Sequence, residues 1–194
     1  MWCGLFLLFA LRSEAQRSGP DSSQRSGGRI TYTFEGTASG AFQPESGAAT
    51  TFADQPFTIT AAAEAGDVVM LTQTCAVPSG VCKVWSLPVS AKISVAGVTA
   101  TFLSPLAIFD NQTFSGLGLQ RRAGPDFLDL QGNSAFTSYD LTGDLAPKEV
   151  FFKKARALGQ FNCAHGCVMT NRGLLAVITV QNVRFTASRI HSGQ

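Results

Sequence analysis

The sequence predicts an all-β protein, a single antiparallel β-sandwich with a closed β-barrel as the alternative. Three observations carry this expectation. First, Val89, Ala91, Ile93 and Val95 alternate with Ser90, Lys92 and Ser94, and beyond Ala96-Gly97 the alternation resumes with Val98, Ala100 and Phe102 against Thr99 and Thr101. A strand points successive side chains to opposite faces, so each half has one buried face, and Gly97 tolerates the positive φ of a tight hairpin turn. Second, several other short segments share this design, with turn residues between them. Third, only Lys148 to Leu158 is a helix candidate of any length, and its Phe151-Phe152-Lys153-Lys154 core equally suits an edge strand guarded by lysines.

The elements follow in order. Ile30, Tyr32 and Phe34 alternate with Thr31, Thr33 and Glu35 in a first strand of high β-propensity. Gly36 to Thr50, rich in Gly, Ala and Ser, reads as a weak strand or loop. Phe57 to Ala62 is a second clear strand, and Asp67 to Gln73 a third. Val84 to Leu87 leads through Pro88 into the hairpin. Pro105 to Asp110 starts on a proline where no ladder N–H is required. Phe114 to Gln120 is interrupted by glycine, Asp126 to Leu130 is short and apolar, and Ala135 to Leu141 suits a helical turn. Gly173 to Gln181 and Val183 to Ala187 are expected to pair as a hairpin turning at Gln181-Asn182. No period of tens of residues recurs, which argues against a solenoid or propeller.

A chain of 194 residues is expected to form one domain. At that size it buries roughly 70% of its unfolded surface. Trp2 to Leu11 is an apolar run too short for the ~20 residues of a bilayer span. Small residues follow it at Ser13 and Ala15, so residues 1–15 read as a secretory signal peptide with no membrane span left after cleavage. One feature disagrees with that reading: no Lys or Arg precedes the run. Residues 16–28 read as a flexible linker, 29–189 as the sandwich domain and 190–194 as a disordered tail. Only 14% of the chain is charged, and hydroxyl residues stand where charges usually do on exposed strand faces. A net charge of +2 without a basic, aromatic-interleaved stripe argues against nucleic acid as partner.

The fragments Ile30-Thr-Tyr-Thr-Phe-Glu-Gly-Thr-Ala-Ser-Gly, Pro56-Phe-Thr-Ile-Thr-Ala, Ala96-Gly-Val-Thr-Ala-Thr-Phe, Ala135-Phe-Thr-Ser-Tyr-Asp-Leu and Gly173-Leu-Leu to Val183-Arg-Phe-Thr-Ala occur in this order. Together they resemble bacterial secreted hypothetical proteins of the PEP-CTERM sorting-domain type. The resemblance implies an exported, β-rich domain and brings no catalytic residues. The chain ends Arg189-Ile-His-Ser-Gly-Gln without the Pro-Glu-Pro motif or apolar tail of that group, so free secretion is the expectation.

Five cysteines are present, and signal cleavage removes Cys3. Cys75, Cys82, Cys163 and Cys167 remain, an even set that suits two disulfides in an exported protein. Four cysteines allow three connectivities. The local pairs Cys75–Cys82 and Cys163–Cys167 are favoured because Pro78-Ser79-Gly80 and His165-Gly166 turn readily inside each loop. A zinc site built from the same thiols and His165 is the competing reading, disfavoured by the long first spacing and an oxidising compartment.

No Gly-x-Ser-x-Gly elbow and no Gly-x-x-x-x-Gly-Lys loop occurs, and His165 and His191 are the only histidines. No catalytic residue is therefore assigned, and a hydrolase is the least favoured class. Asp126, Asp129, Asp140 and Asp144, with Asp110 and Asn111 upstream, are weak oxygen ligands for calcium, because no Asp-x-Asp-x-Asp-Gly loop organises them. Otherwise no cofactor is expected. Trp85, Tyr32 and Tyr139 suit a sugar-stacking platform if exposed, although an aromatic in a strand more often packs inward. Adjacent Phe151 and Phe152 cannot both face inward on a regular strand, which makes them candidate ligand contacts amid Lys148, Lys153, Lys154 and Arg156. The expected function is a non-catalytic extracellular domain, structural or adhesive. The alternative is a module binding surface polysaccharide, with or without calcium. Partners on either reading are an extracellular polysaccharide or another surface protein.

Overall fold

A computed structural model describes residues 28–75, 78, 80–121, 126–148, 154–157 and 167–190. They form twelve strands: β1 (Arg29–Gln43), β2 (Thr50–Glu64), β3 (Val69–Thr74), β4 (Val81–Val95), β5 (Val98–Thr101), β6 (Leu106–Asn111), β7 (Gly116–Arg121), β8 (Asp126–Gln131), β9 (Leu145–Lys148), β10 (Lys154–Ala157), β11 (Cys167–Thr170) and β12 (Gly173–Ile190). Two single 3-10 turns, Ala65–Asp67 and Ser134–Thr137, complete the described elements. All pairings between the strands are antiparallel, and one continuous sheet runs β10-β8-β7-β6-β4-β2-β1-β12-β11.

The sheet turns back on itself at β4. On one edge of β4, β2 pairs up to Ala62↔Ser90 and β3 takes over at Val69↔Ser86. On the other edge, β5 pairs up to Lys92↔Thr101 and β6 continues from Val89↔Leu106. The C-terminal half of β4 thus belongs with β1, β2, β5 and β12, and its N-terminal half with β3, β6, β7 and β8. The two halves face each other across one core. Phe102 of the first packs edge-on against Phe127 of the second at 5.5 Å. A bridge between Phe102 and Thr170, with the amide of Leu103 donating to Met169 O at 2.8 Å, joins β5 to β11. Since β11 pairs with β12, the sheet is nearly closed into a barrel. All-β architecture is as the sequence predicts, and near-closure matches the barrel alternative.

The alternation of the sequence fixes which side chains fill the interior. Ile30, Tyr32 and Phe34 of β1, Phe57, Ile59 and Ala61 of β2, and Ala91, Ile93 and Val95 of β4 are buried as expected. At one end Phe185 lies within 6.2 Å of Tyr32, Phe34, Phe136 and Tyr139, stacked on the first, tilted to the second and edge-on to the other two. At the other end the void bounded by Ala38, Phe57, Ile59, Ile93, Phe127, Leu128, Val177 and Val180 measures about 10 Å³. That volume holds at most a single water, so this part of the interior is packing and not a ligand chamber.

Several expectations are corrected. Gly36 to Thr50, read as a weak strand or loop, is both: β1 runs on to Gln43, with irregularities between Glu35 and Thr37 and between Ser39 and Gly40, and residues 44–49 form the link to β2. Glycine permits the approach there, since a Cβ on Gly40 would lie 2.1 Å from the Ala176 carbonyl oxygen. Gln181-Asn182 is no hairpin turn. β12 is unbroken from Gly173 to Ile190, and Asn182 (φ 51°) lies at the register jump opposite Gly36. A left-handed residue and a polar pair signal a turn and a bulge alike. Pro88 sits within continuous β4, level with the gap between the β3 and β2 pairings, where a missing N–H removes no ladder bond on that side. The turn at Ala96-Gly97 is as predicted, with φ of 52° and 77°. Of the Lys148–Leu158 helix candidate, Lys148 ends β9 and Lys154–Ala157 is a strand that, among the described residues, pairs with β8 alone. Phe151 and Phe152, the signal peptide, most of the linker and residues 191–194 lie outside the described residues.

Candidate functional site

The outer face of the closed half presents hydroxyls in register. In one cross-strand row Thr186, Thr33, Thr60, Lys92 and Thr101 stand side by side. A second row holds Ser188, Thr31, Ala62 and Ser90, and a third Arg184, Glu35, Thr58, Ser94 and Thr99. The array arises because each strand has an apolar inward parity and a Thr/Ser outward parity: Thr31-Tyr-Thr33, Thr58-Ile-Thr60, Thr99-Ala-Thr101. Rows are about 6.6 Å apart along the strands and members of a row about 4.8 Å apart. Within it Ser94 and Thr99 hydroxyls bond each other at 2.8 Å.

An open depression of about 450 Å³ lies on this face, lined by Arg29, Thr31, Thr60, Ala62, Ser90, Ala91, Lys92, Thr101 and Ile190. Its polar lining consists of hydroxyls and two cations and contains no carboxylate. Lys92 is exposed, its register neighbours are Thr60 and Thr101, and among the described residues it forms no ion pair. Arg29 stands opposite Glu64, which is not part of the lining. Such a surface donates many hydrogen bonds and attracts negative charge.

A second polar feature is internal. Asp110 follows Leu106 and Ile108 on the inward face of β6, opposite Trp85, and is fully buried. Neither carboxylate oxygen has a hydrogen-bond partner among the described residues. Burial first, and the charge of Asp140 second, push its pKa up to about 8. The group is therefore a neutral acid at neutral pH. Burial and nearby acids also push the phenols of Tyr32 and Tyr139 well above the usual range. Tyr32 donates to Leu141 O at 2.5 Å and Tyr139 to Gly143 O at 3.0 Å, which holds residues 139–144 over this end of the barrel.

Of the carboxylates named as weak calcium ligands, Asp129, Asp140 and Asp144 each accept hydrogen bonds within the chain. Asp140 Oδ1 accepts from the amide and hydroxyl of Thr142 at 3.0 and 2.6 Å, and Asp144 Oδ1 accepts from the Arg189 amide at 2.5 Å. Asp129 Oδ2 accepts from Gln131 at 2.6 Å. Asp140 and Asp144 thus satisfy backbone donors in and beside a turn. Asp126 carries a side chain outside the described set. No group of three metal-ligating side chains occurs among the described residues.

Of the aromatic candidates, Tyr32 and Tyr139 are buried and Trp85 is half-buried against the core. Cys75–Cys82 is a disulfide, which joins the start of β4 to the residue after β3. Cys167 is also disulfide-bonded, and Cys163 lies outside the described residues. Among the described residues β3 pairs only with β4, and it exposes Val69, Met70 and Leu71 in a strand without charged side chains.

Sequence reasoning pointed to Ser/Thr-rich strand faces but missed Lys92 and the rows these residues form, because alternation gives the face of each residue but not which strand stands beside it. Asp110 had a readable signal. Leu106 to Phe109 are apolar at every position, the mark of a strand buried on both faces, so its next residue is buried too. Comparison with protein-family models, with curated proteins and with solved structures found no match.

Proposed function

We propose that the protein is a non-catalytic exported domain, structural or adhesive, whose contact surface is the hydroxyl-bearing outer face of β1, β2, β4, β5 and β12. The observation that carries this reading is the register of ten hydroxyl side chains in three adjacent rows: Thr31, Thr33, Thr58, Thr60, Ser90, Ser94, Thr99, Thr101, Thr186 and Ser188. Pre-ordered strands hold these donors and acceptors at fixed spacing, so a partner meets little ordering cost on the protein's side. Export is supported by the Cys75–Cys82 disulfide and by the resemblance described above.

The test is an array of neutral and acidic glycans and of surface proteins, probed with and without calcium. Retention should be lost when Thr33, Thr60 and Thr99 are together replaced by Val, and the bound glycan should be recovered intact. Cleavage of a glycan, abolished by replacing a single acid, would transfer the protein to the hydrolases.

A further inference from the structure

We infer that the depression on this face is a binding site for an acidic polysaccharide, with Lys92 and Arg29 taking successive acid groups of one chain. The inference rests on the reading of this face as the contact surface and adds the chemistry of what is bound. Three features select that chemistry. First, the polar lining is wholly hydroxyl or cationic: Thr31, Thr60, Ser90 and Thr101 surround Lys92 and Arg29. Hydroxyls match the hydroxyl-rich edge of a sugar, and the cations match carboxylate or sulfate.

Second, the two cations are set apart by the register. Arg29 stands opposite Glu64 and Lys92 opposite Thr60, four residues along β2 and two strands across. Strand geometry places their backbones about 13 Å apart along and about 10 Å across the sheet. A polymer with repeated acid groups spans such an interval and meets both cations with each side chain extended over its own strand. Third, the three rows contain no aromatic side chain. Sequence-tolerant binding of single-stranded nucleic acid depends on stacking against such rings, so this polyanion lacks its usual platform here. Lys92 has no carboxylate among its register neighbours and meets the ligand without first breaking an ion pair.

The oxidised full chain is titrated with a soluble polyuronate, a sulfated glycan, neutral dextran and single-stranded DNA. Polyuronate or sulfated glycan should bind, dextran and DNA should not. Binding should weaken as added salt shortens the Debye length from ~10 Å at ~0.1 M to ~3 Å at ~1 M. Lys92→Gln should weaken it about fivefold, the size of one exposed ion contact, and Lys92→Arg should keep it. Both residues are exposed, and far-UV spectra of the variants check the fold. Equal affinity for DNA, or polyuronate binding unmoved in the Lys92→Gln, Arg29→Gln double variant, overturns the inference. Binding of a neutral glycan alone, lost in the threonine-to-valine variant, also overturns it while leaving the adhesive reading intact. No ligand dependent on this face overturns both.

Discussion

Replacing Asp110 by Asn should make the protein more stable at neutral pH and remove most of its pH dependence between pH 4 and 8. In the native state burial and the neighbouring Asp140 raise the Asp110 pKa from the ordinary 3.8 to about 8. As pH rises past the ordinary value, the unfolded chain releases this proton while the folded chain keeps it. The folded state then binds more protons, and stability falls with pH until the folded pKa is reached. Each unit of pH in that window costs about 1.4 kcal/mol, so stability at pH 7 lies about 4 kcal/mol below that at pH 4. The groups around the carboxyl are Asp140 and Tyr139, with Trp85 opposite on β4. Asn keeps the shape and cannot ionise. Urea unfolding followed by tryptophan fluorescence, at several pH values across the window, compares the two proteins. The variant should match wild type within about 1 kcal/mol at the acid end, the scale of one neutral hydrogen-bonding group, and exceed it near neutrality. Parallel stability–pH curves for the two proteins would refute the reasoning.

The remaining predictions concern the shell and the clamps. Tyr32 and Tyr139 are the only tyrosines in the chain, and burial raises both phenols, so alkaline titration should show tyrosinate absorbance only together with loss of near-UV structure. A separate tyrosinate step before unfolding would contradict this. Replacing Cys75 and Cys82 together by Ser opens a loop of sequence separation 7, and should cost about 2.5 kcal/mol by urea unfolding while the far-UV spectrum keeps its β form. Gly40→Ala places a Cβ 2.1 Å from the Ala176 carbonyl oxygen, and should lower stability by about 1–3 kcal/mol; an unchanged urea midpoint would show that the β1–β12 pair yields there.

How far the sequence reached depended on the range of the signal. Period-two alternation is local, and it placed Tyr32, Ile59 and Ile93 in the core and Thr33, Thr60 and Lys92 outside. The turn at Ala96-Gly97 was legible for the same reason: a positive φ is a property of the residues that adopt it. The extent of β1 was not legible, because Gly36 and Gly40 weaken a strand in isolation and are needed only where β12 crosses closely. Asn182 reads as a turn until its partner strand is known. The depression around Lys92 draws on β1, β2, β4, β5 and β12, so it exists only through pairings between distant segments. The bonds that Asp140 and Asp144 make to backbone and hydroxyl donors are local, yet their spacing alone does not show them.

The course of β4 determines how this protein can be divided. Its residues up to Val89 pair with β3 and β6, and those from Ser90 onward with β2 and β5. No boundary can be drawn that leaves either half with a complete sheet, so neither half is an independent folding unit, and a loosened β3 or β6 withdraws support from β2 and β5 through the strand they share. A break in the chain is tolerated best where one strand alone loses continuity. The exposed link at residues 45–49, between β1 and β2, is such a place, whereas a nick at Pro88 would sever both halves at once, and one between Leu103 and Pro105 would loosen the contact that closes the sheet on β11. An engineer seeking new termini, or an insertion point for a reporter, should therefore cut in an exposed link and leave β4 whole.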